Sequence, residues 1–140
     1  MEKYKFLFHT ADAKFQAFGQ TLEEAFCHAA LAVASLMWDW RKVQKGKQVR
    51  VKVQGIDQEQ LLVSFLEEVL YLRDTRKFLL GEVNNITIEQ KGRQHELRAV
   101  FKGDDDASRY KIFGEVKAIT YNEMKIEKKT RFMVQVVVDI

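Results

Sequence analysis

Two aspartates near opposite ends of the chain, Asp12 and Asp139, carry the side chains best suited to bind a metal ion. Asp12 follows a β-prone run in a turn-like segment, and Asp139 directly precedes Ile140, whose free carboxylate ends the sequence. If the first and last strands are neighbours, these three acidic groups gather and repel one another unless a cation joins them. Oxygen ligands suit a hard cation, and calcium tolerates irregular coordination better than magnesium does. We therefore expect a divalent cation, preferably calcium, with magnesium or manganese as alternatives.

Each of these acidic residues also has a plainer interpretation. Asp12 can close an Asx-turn in a hairpin, and Asp139 can be a solvated acid at the end of a strand. Asp39, after the first predicted helix, is a candidate third carboxylate ligand. A surface charge near Arg41 and Lys42 explains Asp39 equally well, so both interpretations of it stay open.

The alternation of side chains in the last predicted strand places Asp139 on a definite face. One parity of this strand is apolar and consists of Phe132, Val134, Val136, Val138 and Ile140. Asp139 has the other parity, together with Gln135 and Val137, so we expect its carboxylate to lie away from the core.

A second candidate surface is the run GEVKAITY. Glu115 and Lys117 are two residues apart, so on a strand they share a face and could meet a partner or a phosphate together; a cross-strand ion pair is the alternative. His9, at the end of the first strand, could be a ligand or a proton carrier. A lone histidine in such a position is more often a hydrogen-bonded structural residue, and we expect it to support the site.

Patterns typical of autonomous catalysis are absent from the sequence. There is no Walker or GxGxxG loop, no GxSxG elbow, and no histidine or cysteine at zinc spacing near His28 or His95. Cys27 falls on the apolar first helix and is expected to be a packing residue. The sequence therefore offers no autonomous site for nucleotide hydrolysis or acyl transfer.

The charge of the chain is mildly basic, with a net charge of +3 at pH 7. The basic connection, defined as the cations between the first helix and the following strand and on that strand, is the best candidate for nucleic-acid binding. It consists of Arg41, Lys42, Lys45, Lys47, Arg50 and Lys52. Half of these cations lie on the solvent-exposed face of a strand whose other face consists of valines. No aromatic side chains that could stack on bases accompany them.

Local patterns predict two capped helices among several strands. Thr21 with Glu24, and Asp57 with Gln60, are capping boxes followed by apolar residues at helical spacing, and the first helix should end near Trp38. The β-prone runs cover 4–9, 15–18, 48–54, 78–80, 83–89, 95–102, 116–120, 124–127 and 131–140. We expect residues 1–140 to form a single α+β domain, with two amphipathic helices on a largely antiparallel or mixed sheet of seven to eight strands.

Three features of the sequence indicate the cellular compartment. No apolar stretch is long enough to span a membrane, and the N-terminus lacks a signal-peptide core. Cys27 is the single cysteine, which fits a reducing compartment. The cytoplasm is the expected location.

Six segments, in order along the chain, resemble the archease family, and the match spans nearly the whole sequence. The segments are HTAD at 9–12, FGQTLEEAF at 18–26, LMWD at 36–39, LLVSFLEEVLYLRDT at 61–75, GEVKAITY at 114–121 and VVVDI at 136–140. Short pieces such as TLEEAF are weak alone, whereas six in the right order and spacing are specific.

The resemblance implies a function that composition and periodicity do not. Archeases are partners of the RtcB-type ligase, which joins RNA ends during transfer-RNA splicing through a guanylylated histidine on the ligase. The resemblance implies a non-catalytic activator that assists guanylylation and multiple turnover, contacts RNA indirectly through the ligase, and carries the same acidic metal site. It also favours Lys117 and Tyr121 as partner surface, because a lysine is a suitable point charge for a triphosphate or an acidic pocket.

Two other functions remain open at this point. One is an RNA-binding or chaperone-like module that acts through the basic connection and an exposed sheet. The other is a metal-dependent hydrolase, which needs only an acid-liganded cation and a water molecule.

Overall fold

Seven strands and two α-helices form the structure, a computed structural model in which residues 2–7 and 12–140 are described. The strands are β1 (Tyr4–Leu7), β2 (Ala13–Gly19), β3 (Lys47–Gly55), β4 (Leu79–Lys91), β5 (Gln94–Asp104), β6 (Ala118–Lys128) and β7 (Phe132–Asp139). The helices are α1 (Leu22–Ser35) and α2 (Gln58–Arg76), with short 3-10 helices at Trp40–Lys42 and Ala107–Arg109. No helix among the described residues is both long enough and apolar enough to cross a membrane.

The two predicted capping boxes begin the two helices. Thr21 Oγ1 accepts a hydrogen bond from the Glu24 backbone N–H at 3.1 Å, and Asp57 Oδ1 accepts one from the Gln60 N–H at 2.8 Å. Each satisfies a backbone donor that the first turn of a helix leaves unpaired. Helix α1 ends at Ser35, earlier than predicted, and the chain turns so that Trp38 is fully buried and donates its indole N–H to the Leu80 carbonyl at 2.9 Å.

The strands pair in two antiparallel sheets. One sheet has four strands in the order β1-β2-β7-β6, and the other has three in the order β3-β5-β4. The α+β class with seven strands is confirmed, and the strands are divided between two sheets.

Two strands are longer than the sequence pattern predicted. Residues 79–80 and 83–89 of the predicted runs belong to β4, and residues 118–120 and 124–127 belong to β6. The pairing shifts register within β4 between Leu80 and Glu82 and again between Asn84 and Thr87, and within β6 between Thr120 and Lys125. Irregularities of this kind break the two-residue alternation from which strands are predicted. The sequence pattern therefore predicted two separate strands for each of β4 and β6.

Helices α1 and α2 each contact strands of both sheets, so the described residues share one hydrophobic core. Phe65 of α2 links the layers, with its ring centroid 6.2 Å from that of Phe26 in α1 and 5.6 Å from that of Phe101 in β5. All three rings are fully buried. This core fixes the orientation of both sheets.

Asp104, the last residue of β5, is a buried carboxylate. Asp104 is only 6% exposed and accepts hydrogen bonds from the Tyr110 hydroxyl at 2.7 Å and the Asp106 N–H at 3.1 Å. The Tyr110 hydroxyl bond holds the pKa of Asp104 below its ordinary value. Tyr110 in turn accepts from the Gln44 N–H at 3.0 Å, so this cluster ties the basic connection to the segment after β5.

Glu96 of β5 is a second buried carboxylate, on the outward face of the three-stranded sheet. It is 5% exposed, and its oxygens lie 2.9 Å from Lys91 Nζ, 3.2 Å from Arg98 Nε and 3.4 Å from Lys52 Nζ. The hydrogen bond from Lys91 leads the interactions that lower the pKa of Glu96 from 4.5 to about 2. The carboxylate is therefore charged under all mild conditions.

We expect Glu96→Gln to lower the melting temperature at neutral pH, because the three cations then lack a carboxylate. Since the folded-state pKa is lower than the unfolded value, the Glu96 carboxylate stabilises the fold above pH about 4.5 and loses this effect as the pH falls toward about 2. Thermal melts across this range should show the two proteins converging at low pH. Glu89→Gln, an exposed neighbour in register with Glu96, is the control. A gap in melting temperature that is independent of pH would contradict the role of this carboxylate.

Candidate metal and partner site

Pairing between β2 and β7 places Asp12 and Asp139 at adjacent positions on neighbouring strands. The last pair of this ladder is Ala13 with Val138, so the next positions along the two antiparallel strands are Asp12 and Asp139. The metal site predicted from the sequence depended on the first and last strands being neighbours. In the structure it is the second strand, β2, that pairs with β7, and β1 lies on the far side of β2.

The predicted parity of β7 is observed. Val134, Val136 and Val138 are fully buried in the core, and Asp139 is exposed. Gln135, on the same face as Asp139, is buried by polar contacts: it accepts from Gln16 Nε2 at 2.9 Å and donates to the Glu123 carbonyl at 2.8 Å. The outward face of β7 thus carries a buried glutamine and a buried valine, Val137, and it ends in an aspartate that is open to solvent.

Strand β6 adds Lys117 to the same end of the four-stranded sheet. Ala118 pairs with Asp139, and the Lys117 backbone N–H donates to the Asp139 carbonyl at 2.7 Å. Glu115 and Lys117 are exposed on either side of Val116, which is fully buried. The two exposed residues precede β6 instead of lying within it, and they form no ion pair in the described part of the chain.

The segment that carries Lys117 is held by close backbone contacts. The Phe113 N–H donates to the Met37 carbonyl at 3.0 Å, and Arg73 of α2 donates to the Val116 carbonyl at 3.0 Å. A Cβ at Gly114 would lie 2.2 Å from the Leu36 carbonyl oxygen, so only glycine allows this approach to the end of α1. No local pattern of the sequence indicated these contacts, because each joins residues distant along the chain.

Tyr121 is further along β6 and is 54% exposed. Partial desolvation raises its pKa above the ordinary value, with added contributions from the carboxylates of Asp57, Glu67 and Glu59 in and next to α2. Tyr121 therefore belongs to a surface shared by β6 and α2, and its hydroxyl stays protonated at neutral pH.

Asp39 occupies a different position. Its Oδ1 accepts from the Arg41 N–H at 3.1 Å and caps the 3-10 helix Trp40–Lys42. Over residues 2–7 and 12–140, no three side chains of His, Cys, Asp or Glu form a group suited to a metal ion. The role of Asp39 as a ligand stays a prediction, and so does that of His9, which lies outside the described residues.

The carboxylates that the pairing of β2 with β7 brings together are those of Asp12 and Asp139, and Ile140, which follows Asp139, is 48% exposed. None of them forms an ion pair with the described part of the chain. Adjacent like charges without a counter-charge favour binding of a cation, and oxygen donors favour a hard one. By donor type alone, these carboxylates suit a hard divalent cation.

Cys27 remains a packing residue. Burial raises the pKa of its thiol to about 12, with smaller contributions from Glu24 and Glu23. The thiol is protonated at neutral pH and is a poor nucleophile.

Comparisons with known proteins agree with this architecture. Residues 4–140 match the model of the Archease protein family (MTH1598/TM1083). The protein is 41% identical to "Protein archease" of Pyrococcus furiosus over the full length of both chains, and 36% identical to that of Methanosarcina mazei over 99% of this chain and 97% of the relative. The solution structure of protein 1598 of Methanobacterium thermoautotrophicum superposes with a TM-score of 0.87 at 31% identity and covers both chains completely. Sequence, fold and the order of the motifs thus agree that the chain belongs to the archease family.

Proposed function

We propose that this protein is a non-catalytic activator of an RtcB-type transfer-RNA splicing ligase, promoting guanylylation of the ligase and its multiple turnover. The observation that carries the proposal is the meeting of Asp12, Asp139 and Lys117 at one end of the four-stranded sheet in a member of the archease family. The ligase is proposed as the partner from the family resemblance, and RNA enters as the substrate of the ligase.

The acidic end of the sheet is proposed to hold a divalent cation, preferably calcium, through Asp12, Asp139 and the carboxylate of Ile140. When bound, such an ion supplies positive charge close to phosphate oxygens. The protein contributes by placing Asp12 and Asp139 where β2 and β7 pair, with Ile140 next to Asp139, so that the pairing of the two strands positions the carboxylates before binding. Magnesium or manganese are the alternatives.

Lys117 is proposed to contact the partner or its nucleotide. Its side chain is exposed, and its backbone is fixed to the Asp139 carbonyl. An ammonium group beside a cluster of carboxylates presents both signs of charge on a small area. Such an arrangement is suited to align an acidic pocket or a triphosphate relative to a cation.

The wider partner surface includes Glu115 and Tyr121, both exposed. Tyrosine combines a large apolar ring with a polar hydroxyl and is enriched at protein interfaces. The activity is proposed to take place in the cytoplasm, where ligase and RNA substrates meet.

The metal site is tested by thermal melting with calcium, magnesium or manganese against EDTA. A cation at about 100 times its Kd stabilises a protein by about 2.7 kcal/mol, which raises the melting temperature of a domain of this size by roughly 5–10 °C. Asp12→Ala should abolish the rise. Asp105→Ala, which removes an exposed loop carboxylate, should retain it. The same rise in wild type and Asp12→Ala would exclude this site.

The partner surface is tested by multiple-turnover RNA ligation and by the yield of guanylylated ligase. Lys117→Ala should fold normally, because the side chain is exposed, and should reduce stimulation by roughly tenfold, about 1.4 kcal/mol. Lys111→Ala in the same segment is the matched control, since it also removes one exposed cation. Undiminished stimulation by folded Lys117→Ala would refute the role of this lysine, and no stimulation by wild type would refute the proposed function.

A further inference from the structure

We infer that the outward face of the three-stranded sheet binds the phosphodiester backbone of RNA. This basic sheet face is defined by Arg50 and Lys52 of β3 and Arg98 of β5. The inference deepens the proposed function and rests on it in one respect: an activator of an RNA ligase works where RNA is the available polyanion. The site itself is defined by the geometry of the sheet.

Strand register places the cations next to one another. Lys52 lies directly opposite Arg98, and Arg50 lies opposite Val100, the residue two positions further along β5. All three cations are exposed. Like charges directly opposite each other destabilise a sheet, so this arrangement costs stability without a bound anion.

Glu96 compensates only part of this charge. Its carboxylate contacts Lys52, Lys91 and Arg98, and the contact with Arg98 uses Nε at 3.2 Å. The terminal amino groups of the Arg98 guanidinium have no hydrogen bond to the described part of the chain. Arg50 forms no ion pair there at all. Glu96 thus fixes Arg98 in place while the donors that suit a phosphate stay available.

A cavity of about 300 Å³ lies among these side chains. It is lined by Arg50, Lys52, Arg98, Val100 and Asn85 as well as backbone of β3 and β5. Asn85 has a left-handed backbone conformation, with φ of 52°, at the irregular pairing of β4. Irregularities of this kind redirect side chains, and here the amide adds further hydrogen-bond donors beside the cations.

Three further cations precede this face along the chain. Lys42, Lys45 and Lys47 are exposed and lead directly into β3. RNA carries one backbone phosphate per nucleotide. A row of several cations therefore suits an extended RNA strand better than it suits a single phosphate ion.

The composition of the face favours RNA over a membrane or a protein partner. The large exposed apolar side chains of the described chain are Phe6, Ile56, Tyr71, Ile112, Phe113, Tyr121 and Ile140. None of them lies on β3, β4 or β5, so this face has no group to insert into a lipid layer and no aromatic anchor for a protein. Paired arginines without aromatic neighbours are typical of contacts to phosphates, which carry no sequence information.

The test is binding of a fluorescently labelled single-stranded RNA to the full chain, without ligase, by anisotropy over a series of salt concentrations. We compare wild type with the Arg50→Gln, Arg98→Gln double variant and with Arg76→Gln, Arg93→Gln, which removes the same charge from exposed positions off this face. We expect the first variant to bind at least tenfold more weakly and its slope of log K against log salt to fall by about 1.4, two phosphates at 0.7 each. The second should stay within about twofold of wild type.

Three results would overturn the inference: no RNA binding by wild type at low salt, equal losses in both double variants, or binding to phosphatidylserine vesicles that exceeds RNA binding and depends on Arg50. Because Arg98 contacts Glu96, the single variant Arg50→Gln, which removes no ion pair, keeps the test valid if the double variant is unstable. The ligase is absent from this assay, so a protein that binds RNA here yet fails to stimulate ligation would refute the proposed function alone.

Discussion

Antiparallel pairing of β2 with β7 is the constraint on which the rest of this molecule depends. It joins residues more than a hundred positions apart, and its register decides which side chains of β7 enter the core. A slip of one residue would move Val134, Val136 and Val138 to the outward face and would place Asp139 toward the core. Burial of the valines therefore also specifies where the acidic groups lie.

Charges of opposite sign are separated on the two sheets. Carboxylates gather where β2 and β7 meet, with Lys117 beside them, and arginines gather on the outward face of β3 and β5. The arginines stand on paired strands, whereas Asp12 and Lys117 are the residues just before β2 and β6, where the pairing of those strands with β7 positions them. The proposed cation site and the proposed RNA-binding face therefore lie on different sheets of one domain.

Buried carboxylates stabilise the cationic surfaces. Glu96 gathers Lys52, Lys91 and Arg98, and Asp104 accepts from Tyr110, which also holds the start of the basic connection through Gln44. A carboxylate that is buried stays charged only when such donors surround it. Nothing local in the sequence shows that Tyr110 returns to meet Asp104.

The sequence by itself determined the two helices, the outward parity of Asp139 and the family, because capping boxes, strand alternation and ordered motifs are local signals. It also placed Asp12, Asp139 and Lys117 among the candidates. The tertiary structure alone decided that there are two sheets, that β2 instead of β1 borders β7, and that Arg98 joins Arg50 and Lys52. Strand partners are chosen by burial and register between distant segments, and irregular pairing in β4 and β6 erased the alternation from which those strands could have been recognised.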